Sequence, residues 1–198
     1  MAVNRPISYG PLAPTDAELR LCADQSGKRS LELGISDAMN ALALAEQGAK
    51  AIAVDPDASR IARVREQADA AGLRVECHEG DLADLGWATS ASIDLVVAAG
   101  TLGAVDDLAR VLRQVHRVLK PEAPLVISTV HPARALVTAN SWEQPTRYGT
   151  AARSVADWYM GLYRANFRID SLQELFAVGR DTDAAPSTLV IRARKLGV

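Results

Sequence analysis

Four short apolar runs, separated by stretches whose apolar residues recur at helical spacing, restrict this chain to one class of architecture. Leu31–Ile35, Ala51–Val54, Ile93–Ala98 and Leu125–Val130 have the length of strands, and the second is wholly apolar, as a strand covered on both faces should be. Ala38, Leu42 and Ala45 repeat along a helix that Asp37 can cap and Gly48 stops. Ile61, Val64, Ala68 and Ala71 mark a second helix over 57–71, ended by Gly72. Leu108, Val111, Leu112, Val115 and Leu119 mark a third, capped by Asp106 or Asp107 and closed by Pro121. Arg74–His78 adds a further strand with only a short connection to the next. Such alternation predicts a parallel sheet with helices on both faces.

The two ends read differently. Residues 1–14 form an irregular lead-in, and a capping box of Thr15 and Glu18 opens a short helix near 16. Beyond 131, Ser154–Ala165 is helical, with Val155, Trp158, Tyr159, Leu162 and Tyr163 recurring at three and four. Phe167–Leu175 can hold a strand and Ser187–Ala193 forms the last one. No repeat, low-complexity tract or domain boundary interrupts residues 1–198, which read as one domain.

Charge and composition exclude several classes of partner. A net charge of −2 over 198 residues provides no basic field for nucleic acid or anionic lipid. No apolar run is long enough to span a bilayer, and Met1–Gly10 is too polar and Pro-interrupted to resemble a signal peptide. Cys22 and Cys77 suggest reduced thiols, so a cytoplasmic protein is expected.

Three carboxylates, Glu32, Asp55 and Asp81, stand at or just past the ends of successive strands. Ligands of open parallel sheets bind at those ends. A row of acids there suits a ligand bearing amines, hydroxyls and positive charge, and disfavours one that leads with phosphate. Each acid alone could be a cap or turn residue, but their common register with Gly34 and Gly80 points to a binding site.

In these stretches the chain resembles the class I S-adenosylmethionine-dependent methyltransferases that act on small molecules. The resemblance covers 28–131 well and 132–198 more loosely. It rests on Glu32-Leu33-Gly34-Ile35-Ser36-Asp37-Ala38 after the first strand, Asp55 after the second, and Gly80-Asp81 after the third. Ile93–Gly100, Arg117-Val118-Leu119-Lys120-Pro121 and His131-Pro132 add to it. It implies a Rossmann-like α/β fold with a mostly parallel seven-stranded sheet and an antiparallel last strand. It also implies methyl transfer from S-adenosylmethionine to a small-molecule acceptor, with S-adenosylhomocysteine as product. By that resemblance Gly34 and Ser36 let the backbone approach the cofactor, Glu32 orients the loop, and Asp55 accepts the ribose hydroxyls. Asp81 takes the adenine amino group, Pro56 and Leu82 flank the ring, and carbonyls near Gly100 face the ammonium.

The chain departs from the family pattern where the second and third loop glycines become Ser36 and Ala38. Two other readings are weighed: a non-catalytic binding or regulatory protein of the same fold, which only that loop supports, and a nicotinamide-dependent oxidoreductase, for which an acid such as Asp55 stands about 20 residues after the glycine loop. The latter needs Gly-x-Gly-x-x-Gly, whereas Ser36 and Met39 stand after Gly34. His131, leaving the fifth strand on the ligand side, is the candidate general base, weighed against an ordinary loop histidine before proline. Tyr9, Trp142 and Tyr148 are candidates for an aromatic wall around the acceptor. His116, His78 and the Arg192, Arg194, Lys195 group read as structural or solvated residues. No metal ligand set is expected.

Overall fold

The computed structural model describes residues 5–139, 147–179 and 185–197, apart from the side chains of 137–139. Its strands are β1 (Arg29–Leu33), β2 (Lys50–Asp55), β3 (Val75–Glu79), β4 (Leu95–Ala99), β5 (Pro124–Val130), β6 (Phe167–Leu175) and β7 (Thr188–Lys195). They form one sheet in the order β3-β2-β1-β4-β5-β7-β6. Neighbours from β3 to β5 are parallel, and β7 runs antiparallel to both β5 and β6. This is the mixed, Rossmann-like sheet that the sequence implies.

Alternate residues along each central strand enter opposite layers, as the two-residue repeat of a strand requires. Val96, Ala98, Leu125, Ile127, Leu189 and Ile191 pack with the helices α4 (Leu108–Val118) and α6 (Val155–Arg164). Leu95, Val97, Ala99, Val126 and Val190 pack on the other side, with α2 (Asn40–Glu46) and the amino-terminal segment. The helix α3 (Ala58–Ala70) presses Ile61, Val64 and Ala68 toward Ala53 in the same layer as α2. The lead-in before the short helix α1 (Asp16–Leu19) is irregular but buried: Ile7 and Tyr9 have 0% and 2% of their surface exposed.

Several boundaries differ from the sequence reading, each for a local reason. β1 stops at Leu33 because Gly34 turns out of the strand at φ +74°. The helix after it begins at Asn40, not beside Asp37, and Met39 at its amino end is left-handed and offers no side-chain cap. β4 begins at Leu95, with Ile93 reduced to a single bridge to Leu119. The stretch after His131 forms α5 (Pro132–Ala139), where proline occupies the first helical position, which needs no N–H donor. The basic residues of β7 are not a solvated edge. Arg192 and Arg194 share Asp170, the extra residue of a bulge in β6, at 2.7 and 2.6 Å, and buried Lys195 donates to the Leu119 carbonyl.

Candidate functional site

β1 and β4 are neighbours in the sheet, yet the chain leaves them in opposite directions, toward β2 on one side and β5 on the other. Their following loops therefore diverge and leave a crevice at the carboxyl ends of the strands. A cavity of about 450 Å³ occupies it, lined by Tyr9, Ile35, Ser36, Arg60, Gly100 and Thr101 among others. Beside it, a second cavity of about 510 Å³ is lined by Val54, Gly80, Asp81 and the stacked rings of His78 and Trp87. A larger depression, about 850 Å³, lies at the amino ends of β1 to β3 and includes none of the candidate binding or catalytic residues.

The three carboxylates do different work. Glu32 is fully buried and accepts from the Ser36 N–H at 3.1 Å, the Ser36 hydroxyl at 2.9 Å and the Ala41 N–H at 2.7 Å. It thereby ties down the loop after β1 and caps α2 from a distance, the task the sequence assigned to Asp37, which is exposed. Burial pushes its pKa up, while these hydrogen bonds pull it down less strongly. Asp55 is 3% exposed; one oxygen accepts from the Ile35 N–H at 2.6 Å and the other from the Asp57 N–H at 2.8 Å. It lines neither cavity at this end of the sheet. Asp81 is exposed, accepts from the Ala83 N–H at 2.9 Å, and does line the second cavity. Leu82 beside it is buried and Pro56 is exposed.

Two residues that sequence reasoning missed complete the cradle. A Cβ on Gly34 would lie 2.5 Å from the Cβ of Thr101, whose hydroxyl donates to the Leu33 carbonyl at 2.6 Å. The close approach at Gly34 is thus made by the β4 loop. Gly100 is also left-handed, at φ +76°, and faces open space. Arg60 donates to the Ile35 carbonyl at 2.8 Å and lies 3.8 Å from Asp55. One signal for it exists in the sequence: a cation in the first turn of a helix opposes the macrodipole. No comparable signal links Thr101 to Gly34, because β1 and β4 meet only in the sheet.

His131 is 4% exposed. Its Nδ1 accepts from the Ala133 N–H at 3.1 Å, so in the neutral ring Nε2 carries the proton and donates to Glu174 at 2.9 Å. Tyr9 borders the 450 Å³ cavity, and its hydroxyl donates to Asp16 at 2.6 Å. Burial, then neighbouring Cys22 and Asp16, push its pKa far above the ordinary tyrosine value. Tyr148 is half exposed and its oxygen accepts from the Val155 N–H at 3.5 Å. Trp142 lies outside the described residues.

Residues 31–127 match the methyltransferase domain family. A curated relative, a ubiquinone biosynthesis O-methyltransferase of Azorhizobium caulinodans, is 31% identical over 108 residues, 53% of this chain and 41% of that protein. The matched stretch spans less than half of that relative's own length. Among solved structures, an S-adenosylmethionine-dependent methyltransferase from Mesorhizobium loti superposes with a TM-score of 0.74 at 23% identity, over 90% of this chain and 96% of that one. The [4+2]-cyclase SpnF shares the fold as well, with a TM-score of 0.73 at 18% identity over 92% of this chain and 80% of its own. Residues 31–127 thus resemble a methyltransferase domain, and the chain shares the fold of solved S-adenosylmethionine-dependent methyltransferases.

Proposed function

We propose that this protein binds S-adenosylmethionine in the crevice between the β1 and β4 loops and transfers its methyl group to a small-molecule acceptor. The observation that carries the proposal is a cavity of small-molecule size at the topological switch point, rimmed by the family's loop residues. The donor set suits this cofactor. Each Asp55 oxygen holds one backbone N–H and retains a second lone-pair direction, so the pair can receive a vicinal diol. In this reading Asp81 takes the adenine amino group in the neighbouring cavity, with Leu82 and Pro56 beside the ring. Gly34 and Ser36 keep the loop low, Glu32 holds it in place, and the backbone at Gly100 faces the ammonium.

Bound S-adenosylmethionine supplies an already activated methyl group. The protein's remaining work is to align the acceptor within about 3–3.5 Å and to exclude water. Tyr9 lines that space. His131 is better read as the anchor of α5 than as a base, since both ring nitrogens are bonded within the protein. A neutral amine acceptor, which loses its proton after attack, needs no base; a hydroxyl acceptor must arrive ionised or give its proton to a base. The name of the matched relative makes oxygen acceptors the first class to screen.

Calorimetric titration with S-adenosylmethionine and S-adenosylhomocysteine, with NADH as control, tests the reading. Binding of both sulfur compounds, abolished in Asp55→Ala, is expected. Absence of binding to either one rejects the cofactor site. Binding of both without methyl transfer to any acceptor favours the second reading, a protein of this fold that does other work, which likeness to a [4+2]-cyclase keeps in view.

A further inference from the structure

Arg60 is the one cationic side chain among the described residues lining the 450 Å³ cavity. It sits where a cation is least welcome, in the first turn of α3. Its surroundings hold it there. The guanidinium donates to the Ile35 carbonyl at 2.8 Å and lies 3.8 Å from Asp55 Oδ2, while its Nε lies 3.8 Å from Asp57. Asp55 is 3% exposed and absent from the cavity wall, whereas Arg60 is on that wall with its side chain 44% exposed. The cavity wall thus carries a guanidinium 3.8 Å from the carboxylate that the diol must reach.

We infer that Arg60 is a latch on the cofactor site: it competes with the ribose diol for Asp55 and sets the affinity for cofactor and product. The inference rests on the function proposed above. A half-exposed ion pair is weak, so displacement is feasible and its cost is a modest factor in affinity. A flexible, unbranched arm in the first helical turn can swing outward without disturbing α3, whose buried face is Ile61, Val64 and Ala68.

Calorimetry of the full chain with S-adenosylhomocysteine and S-adenosylmethionine decides the matter, using wild type, Arg60→Met, Arg60→Gln and Asp55→Ala. Both Arg60 variants are expected to bind S-adenosylhomocysteine about two- to fivefold more tightly than wild type. The gain should be similar for S-adenosylmethionine and should narrow as ionic strength rises. Adding Asp55→Ala to either variant should remove the gain. Unchanged or weaker binding in both Arg60 variants, with wild-type binding still dependent on Asp55, overturns the latch and leaves the cofactor site standing. If no protein in the series binds either compound, the cofactor reading fails and the latch fails with it.

Discussion

At the scale of single residues, the site is held together by groups that reach across the sheet rather than along the chain. Gly34 is required for two separate reasons: its left-handed φ, and the Thr101 side chain packed where a Cβ would stand. Gly34→Ala should therefore lose about 2–4 kcal/mol of stability in urea unfolding. Thr101→Gly in the same chain should recover the steric part and leave the backbone part, a non-additivity that a double-mutant cycle reads directly. Full additivity of the two changes contradicts the packing argument. Glu32 shows the same cross-chain logic, since a strand residue supplies the acceptors that a helix cap ordinarily supplies. The acid row at the strand ends is thus divided: one member builds the loop, one is buried beside Arg60, and Asp81 alone is exposed.

At the scale of elements, the β6–β7 pair depends on a charged contact inside the sheet. The bulge at Asp170 lets one carboxylate meet Arg192 and Arg194, two residues on the same face of β7. Burial alone would raise the Asp170 pKa, but hydrogen bonds from the two arginines overcome that and lower it. A lowered carboxylate contributes stability that is complete above its unfolded pKa of about 3.9 and is lost as pH falls through the folded value. Asp170→Asn should cost about 1–3 kcal/mol at neutral pH. The deficit should shrink steadily below about pH 4. Unfolding curves that keep the same gap between variant and wild type across that range would count against this account. The strand β7 itself is interior to the sheet, which explains why its alternate residues Leu189, Ile191 and Ala193 are fully buried.

At the scale of the whole molecule, binding in the crevice must couple to global stability, because its walls come from the amino-terminal segment, the β1 and β4 loops and α3. A ligand at about a hundred times its dissociation constant stabilises by about 2.7 kcal/mol, which raises the melting temperature of a domain of this size by about 5–10 °C. S-adenosylhomocysteine should produce that shift in wild type and none in Asp55→Ala; equal shifts in the two would place the ligand elsewhere. No helix among the described residues is long and apolar enough to cross a membrane. The sequence by itself determined the alternation of strand and helix, the sheet's parallel core and the acids at its strand ends. Those follow from local periodicity, turn chemistry and the family's loop residues, all carried by neighbours in the chain. It could not reveal that Thr101 packs over Gly34, that Glu32 rather than Asp37 serves α2, that Arg60 approaches Asp55, or that Asp170 joins two arginines of β7. Only the tertiary structure decided these, because each is a contact between residues brought together by sheet order or by the geometry of a turn, and side-chain spacing along the chain carries no record of such a meeting.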